Sequence, residues 1–380
     1  MFGNAGLPCR GRGLRVRQDM ANKRLLIVLN ELTWSGAERM MQAAAGLWQQ
    51  AGYEPHILVI GSEKGDFAPV LAECGYAIHL LGFSRSPLFV LYLLAFYRGG
   101  DWDAVHIHTE QAAFWHALAA RLAARRCRLV RTIHNVFAFR GALRWRRSLQ
   151  RWVMRHWLGV RSTAPSRSII DNEREAFRNP VRLIPNWIHL EVPASEETAR
   201  AGRASLGMDD EIKVILSVGN CSETKNHGTL LHALARLPAD FPWAYLHVGT
   251  SEEEEGERAL AVRLGIADRC RFLGRRDARS VLPSADVFVM PSLGEGLGLA
   301  AVEALAEGIP CVLSHVAGLR DLVPYKAAIH WCDPEKPEEI ATAIGLALGG
   351  PRRCPAVIDP VRQAFSPLAG VRQLAALFAP

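Results

Sequence analysis

The chain has 380 residues, 49% apolar and 22% charged, which excludes a disordered or fibrous protein and exceeds what one hydrophobic core usually fills. Its formal net charge of +7 is uneven: residues 1–190 carry 26 Lys and Arg against 13 Asp and Glu, and the remainder 19 against 25. Two domains of opposite charge are expected, the first suited to an anionic partner.

Residues 1–22 read as a basic arm, with arginines at 10, 12, 15 and 17 but no apolar run long enough for a signal-peptide core; Met20 offers a cleaner start. The first strand, 25–29, runs into Asn30-Glu31-Leu32-Thr33-Trp34-Ser35-Gly36-Ala37-Glu38, a glycine turn opening a helix. Further strands are expected at 56–60, 104–108, 129–133 and 181–184. Between them, the apolar run 87–97 is too short to span a bilayer, which needs about 20 residues, and reads as a core helix. Asp101-Trp102-Asp103 tempts a metal reading, but it precedes the strand 104–108 and so lies at the wrong end of a parallel sheet for ligand chemistry.

Residues 111–170 hold 13 arginines and no acidic residue. Within them 142–161 has helical periodicity, with Trp145, Leu149, Trp152, Val153 and Trp157 on one face. That face either packs on a core or docks on an anionic membrane surface through the arginine-rich stretch 121–161. No nucleic-acid recognition motif accompanies the charge.

From 187 to 207 the strand pattern lapses, which marks a linker between a first domain at 23–186 and a second at 208–350. The second domain repeats the alternation, with strands at 214–218, 244–248, 271–273, 287–290 and 311–314. Residues 351–380 form a C-terminal segment, rich in proline and then helical. The fold class is therefore α/β with two Rossmann-like parallel sheets. The eight cysteines form no CxxC pair and have no His partner at zinc-ligand spacing, so reduced thiols, no metal and a cytoplasmic location are expected.

Ligands bind at the carboxyl ends of parallel strands, so the motifs there carry the chemistry. After 287–290 comes Pro291-Ser292-Leu293-Gly294-Glu295-Gly296-Leu297-Gly298, then Glu303. The glycines permit close backbone approach, and the helix beginning near Leu297 aims free N–H groups at an anion. This segment resembles the Glu-x7-Glu motif of retaining glycosyltransferases of family four, together with Ala285-Asp286-Val287-Phe288-Val289-Met290 before it and Gly308-Ile309-Pro310-Cys311-Val312 and Gly318 after it.

The resemblance implies the GT-B architecture, two such domains facing across a cleft, with the C-terminal helix crossing back to the N-terminal domain. It also implies transfer of a hexosyl residue from a nucleotide-diphosphate sugar to a hydroxyl of a glycan or lipid-linked acceptor. Glu295 would contact the donor sugar and Glu303 the ribose, with backbone at Gly296, Leu297 and Gly298 at the diphosphate. Ser217-Val218-Gly219-Asn220-Cys221-Ser222-Glu223-Thr224-Lys225 matches a second family segment, in which Lys225 would neutralise the leaving diphosphate and Asn220 stands where relatives commonly have arginine. Leu273 and Gly274 would line the base pocket. Gly36 would face the phosphates, in a loop that resembles Gly-Gly-Ala-Glu with Ser35 for the first glycine, or would serve only as a turn.

His134 matches the family position beside the donor sugar, and His108 would shape the acceptor pocket. Ile184-Pro185-Asn186-Trp187 resembles a family Pro-Asn-Gly segment, with Trp187 for the glycine. No cofactor beyond the donor is implied. Two rival readings share the architecture: a nucleotide-sugar 2-epimerase, and a non-catalytic nucleotide-sugar-binding partner in a glycan assembly complex.

Overall fold

The computed structural model describes residues 23–84, 87–124, 126–190, 193–250 and 253–379. The basic arm at 1–22 lies outside them. The described chain falls into two compact units: one holds residues up to Pro165, then Asn172–His189 and a C-terminal piece from Pro367, and the other holds Ser166–Asp171 and Leu190–Ser366.

The first unit is built on seven parallel strands, β1 (Lys23–Leu29), β2 (Tyr53–Val59), β3 (Ala77–Leu80), β4 (Ala104–Ile107), β5 (Arg128–Thr132), β6 (Val160–Ala164) and β7 (Arg182–Leu183), in the order β3-β2-β1-β4-β5-β6-β7. The helices α1 (Gly36–Gln50), α2 (Ala68–Glu73), α3 (Pro87–Gly99), α4 (Ala113–Ala123), α5 (Gly141–His156) and α6 (Arg167–Phe177) connect them, the first turn of α6, to Asp171, being counted with the second unit. Leu25 to Val28 are wholly buried, as continuous apolar runs must be when helices cover both sheet faces.

The second unit begins with α7 (Glu196–Ser205) and carries six parallel strands, β8 (Lys213–Val218), β9 (Trp243–Val248), β10 (Cys270–Phe272), β11 (Val287–Met290), β12 (Cys311–Ser314) and β13 (Ile329–Cys332), ordered β10-β9-β8-β11-β12-β13. Its other helices are α8 (His227–Leu234), α9 (Glu254–Arg263), α10 (Leu299–Ala306), α11 (Pro337–Gly349) and α12 (Pro355–Ala364). In each sheet the strand order reverses direction once, at β1/β4 and at β8/β11, and such reversal points open the crevices where ligands bind.

The stretch expected to be a linker, 187–207, is largely structured. Trp187 is 2% exposed within the core of the first unit, and its indole N–H donates to the Met40 carbonyl at 2.7 Å. Ser195 caps α7 by accepting from the Thr198 N–H at 3.1 Å. Buried Arg203 of α7 then donates to Asp286 Oδ2 at 2.9 Å, and the Val214 N–H donates to the same oxygen at 2.7 Å. Asp286, one residue before β11, thus ties a helix to two strand starts.

The C-terminal segment divides. α12 packs on α10 in the second unit. The last helix, α13 (Pro367–Phe378), places Val371, Leu374, Leu377 and Phe378 in the core of the first.

Candidate functional site

In the second unit, the loops leaving β8 and β11 meet at the strand-order reversal. The β8 exit turns at Gly219, passes through a single 3-10 turn, Glu223–Lys225, and reaches Asn226 in the left-handed region before α8. Asparagine tolerates that conformation because its short amide bonds locally. Here it also bridges: its side-chain amide donates to the Pro291 carbonyl at 3.1 Å and the Pro334 carbonyl at 2.7 Å, and its oxygen accepts from Thr229 Oγ1 at 2.6 Å. Sequence reasoning gave Asn226 no role. The available signal was an Asn directly before a helix.

Lys225 lays its aliphatic stem over Gly219, where a Cβ would lie 3.3 Å from it, and its ammonium donates to Glu295 Oε1 at 2.6 Å. The Ser292 hydroxyl donates to the same oxygen at 2.9 Å. The Leu293 N–H donates to the Thr224 carbonyl at 2.8 Å, and Ser314 Oγ donates to the Ser292 carbonyl at 2.5 Å. Thus the two family segments form one hydrogen-bonded patch that carries a cation and a carboxylate side by side, both partly exposed.

α10 starts at Leu299, two residues later than the sequence suggests, because Gly298 takes φ 76° and ψ 61° as its N-cap. No side chain caps it, so the first-turn amides and the helix dipole remain directed at whatever occupies the loop. Glu303 sits in the second turn of α10, partly exposed. Leu297 is buried and offers only its backbone. Asn220 is exposed on the β8 exit. Leu273 and Gly274 follow β10: the Leu273 N–H donates to the His247 carbonyl at 2.8 Å, and the Gly274 carbonyl accepts from the Gly249 N–H at 3.0 Å. Gly249 in turn packs so closely on Gly219 that a Cβ would meet its carbonyl oxygen at 1.8 Å.

The first unit holds a separate chain of hydrogen bonds at the exits of β4 and β5. His134 Nε2 lies 2.7 Å from His108 Nδ1, His108 Nε2 lies 3.1 Å from His106 Nδ1, and His106 Nε2 lies 2.7 Å from Thr132 Oγ1. Burial, with the neighbouring Arg131 charge, pulls His134 from its ordinary 6.5 to about 4. Burial pulls His106 to about 3 and takes His108 well below its usual range. At neutral pH the relay is uncharged, so His134 acts as a hydrogen-bonding group rather than a cation.

Next to it, Glu110 accepts from Arg131 and Arg151, and Arg151 also donates to buried Glu173 at 2.8 Å. Arginines of the acid-free block therefore find their carboxylates just outside it. Gly36 opens α1, whose cap is Ser35: its hydroxyl accepts from the Ala37 N–H and donates to the Glu38 carboxylate. Asp103 accepts from the Arg24 N–H at 2.7 Å at the start of β1, far from the strand exits.

Comparison with known proteins agrees in both halves. Residues 34–192 match the model of the family described as Glycosyltransferase Family 4, and residues 199–362 match that described as Glycosyl transferases group 1. The chain is 30% identical over 319 residues to "Putative glycosyltransferase EpsF" of Bacillus subtilis, covering 78% of this chain and 80% of that one. It is 34% identical over 143 residues, 37% of this chain and 40% of the other, to the lipopolysaccharide core biosynthesis glycosyltransferase LpsE of Rhizobium meliloti. The fold matches the crystal structure of Anabaena Alr3699/HepE in complex with UDP and glucose, with a TM-score of 0.79 at 19% identity over 93% of this chain and 98% of that one.

Proposed function

As the chain belongs to glycosyltransferase family 4, we propose that it moves a hexosyl residue from a nucleotide-diphosphate sugar to a hydroxyl of a glycan or lipid-linked acceptor, with retention at the anomeric carbon. The observation that carries this reading is the Lys225–Glu295 contact at 2.6 Å beside the uncapped start of α10. In this reading the diphosphate lies against the α10 N-terminus and Lys225, and Glu295, held by Ser292, accepts from hydroxyls of the donor sugar. Glu303 takes the ribose hydroxyls, and backbone at Leu273 and Gly274 meets the base. The bond from the anomeric carbon to the phosphate oxygen breaks as the bond to the acceptor oxygen forms, and the departing phosphate oxygen takes the acceptor proton. Lys225 and the helix amides then stabilise charge that grows on the leaving group, the situation in which fixed electrostatics matter most.

The UDP in the HepE complex makes UDP-hexoses the first donors to test. With a panel of UDP-, GDP- and ADP-hexoses and the full chain, one donor should turn over, and Lys225→Ala and Glu295→Ala should each lower kcat by roughly 100-fold or more, as loss of an oxyanion donor does. Wild-type rates in either variant would remove the assignment. Donor binding without turnover would point to a non-catalytic partner, and interconversion of free nucleotide sugars to an epimerase.

We also propose an anionic membrane surface as a partner, and α5 is the specific reason. Trp145 is 80% and Trp157 70% exposed, with Leu149 and Trp152 also outward. α4, packed on both α3 and α5, adds exposed Trp115 and Leu122. Exposed Arg140, Arg144, Arg146 and Arg155 flank them. Aromatic side chains among arginines suit a headgroup interface, and a lipid-linked acceptor would be presented there. Among the described residues no helix is long and apolar enough to cross a membrane.

A further inference from the structure

Beneath the β8 exit loop, four side chains that no part of the proposed transfer uses converge from four places in the second unit. Cys221 comes from the loop itself, His227 from the first residue of α8, His247 from β9 and Glu257 from α9. One ligand atom from each lies within 4.8 Å of all the others. We propose that these four residues bind one divalent transition-metal ion, zinc by the chemistry of the donor set, as a structural centre that fixes the β8 exit.

The spacings fit such an ion. Cys221 Sγ stands 3.9 Å from His247 Nδ1, His227 Nδ1 stands 3.1 Å from Glu257 Oε1, and His247 Nδ1 stands 3.5 Å from Glu257 Oε2. Ligand atoms at the corners of a zinc tetrahedron with bonds of about 2.0–2.3 Å are separated by roughly 3.2–3.8 Å.

Hydrogen bonding points the same way. A carbonyl oxygen only accepts, so the 3.0 Å contact of His247 Nε2 with the Gly219 carbonyl places the ring proton on Nε2. His247 Nδ1 then turns its lone pair toward the thiol and the carboxylate, the orientation that a backbone carbonyl imposes on a metal-bound histidine. Glu257 Oε2 is fully buried and, among the described residues, has no hydrogen-bond partner. A buried carboxylate oxygen facing an imidazole lone pair is an unstable pair unless a positive centre, a metal ion or a proton on Nδ1, lies between them.

A proton on His247 Nδ1 would settle that pair as well, but a metal ion also accounts for the Cys221 thiol and His227 meeting at the same place. One thiol, two imidazoles and one carboxylate select zinc over magnesium or calcium. With four protein ligands no coordination position is left for substrate, so the ion would hold the Gly219-Asn220-Cys221 turn that carries the Lys225 stem. The sequence concealed the quartet because its ligands are spread over four elements and match no short metal motif.

The test uses the full chain, stripped with a chelator, dialysed and titrated with Co2+ and then Zn2+. One Co2+ per chain should bind with a thiolate-to-cobalt charge-transfer band, Zn2+ should displace it, and Zn2+ should raise the melting temperature. Cys221→Ser should abolish the band and Glu257→Gln should weaken Co2+ binding at least tenfold, while Cys270→Ser leaves both unchanged. Absence of the band in the wild-type chain overturns the proposal whether or not the variants fold, as does a band of equal strength in Cys221→Ser.

Discussion

At Gly318 the backbone has φ 85°, and a methyl group there would come within 2.2 Å of the Glu295 carbonyl oxygen and 3.0 Å of the Gly296 carbon. Both conformation and space therefore demand glycine, and the residue supports the loop that carries the carboxylate. Gly318→Ala should cost roughly 1–3 kcal/mol of stability and raise KM for the donor more than it lowers kcat. Gly294, in the same loop region, has open space around it and no positive φ, so Gly294→Ala should stay within about 0.5 kcal/mol by urea unfolding. Equal behaviour of the two variants would contradict this account. A different lesson comes from Trp187. Its replacement of a family glycine was visible in the sequence, but its accommodation was not. Gly370 on α13 makes the room, since a Cβ there would sit 2.1 Å from the indole, and such a pairing exists only after the chain has folded.

α5 shows what periodicity conveys and what it omits. The sequence places Trp145, Leu149, Trp152, Val153 and Trp157 on one stripe; the three tryptophans and Leu149 are exposed, but Val153 packs partly buried against the core and Arg151 points inward at 2% exposure. Spacing fixes which residues lie together, but the direction depends on Glu110 and Glu173, which lie outside the helix and supply the buried carboxylates. The two faces should respond in opposite ways. Trp145→Ser with Trp157→Ser should leave the melting temperature unchanged and reduce sedimentation with anionic vesicles at low salt. Arg151→Met leaves Glu173 buried without its cation and should cost about 3–5 kcal/mol, with little effect on vesicle binding that folded protein retains. Equal sedimentation of the wild-type chain with neutral and anionic vesicles would remove the membrane partner.

The same limit explains the strands. Unbroken apolar runs such as those of β1, β8 and β11 were legible. β3, β6 and β13 were not, because their sequences, AIHL, VRSTA and IHWC, are broken by polar residues. Val160 and Arg161 of β6 fell inside the stretch read as helix, 142–161.

Stability of the molecule as a whole should depend on pH through histidines that folding holds neutral. Burial lowers His106 and His116 from 6.5 to about 3 and, with the nearby Arg131 charge, lowers His134 to about 4. For a base with a depressed folded value, the unfolded chain takes up the proton first. Stability is therefore complete above pH 6.5 and declines as the pH falls toward the folded value. Each such histidine contributes a slope approaching 1.4 kcal/mol per pH unit, roughly, once its unfolded form is charged. Thiols act in the opposite sense: burial raises Cys127, Cys270 and Cys332 from 9.0 to about 12, so the unfolded chain loses its protons first and stability falls above pH 9. The melting temperature should trace a plateau between pH 6.5 and 9 with decline on both sides. The window from pH 6.5 to 5 is the diagnostic one, because ordinary carboxylates scarcely titrate there. His116 lies in the first unit, bonded through Nδ1 to the Tyr97 hydroxyl at 2.9 Å, and has no part in the proposed transfer. His116→Gln should be less stable at pH 7.5 but should show a shallower decline between pH 6.5 and 5 than the wild-type chain. A wild-type melting temperature that stays flat across that window, or an unchanged slope in His116→Gln, would mean that these imidazoles take up protons within the folded protein.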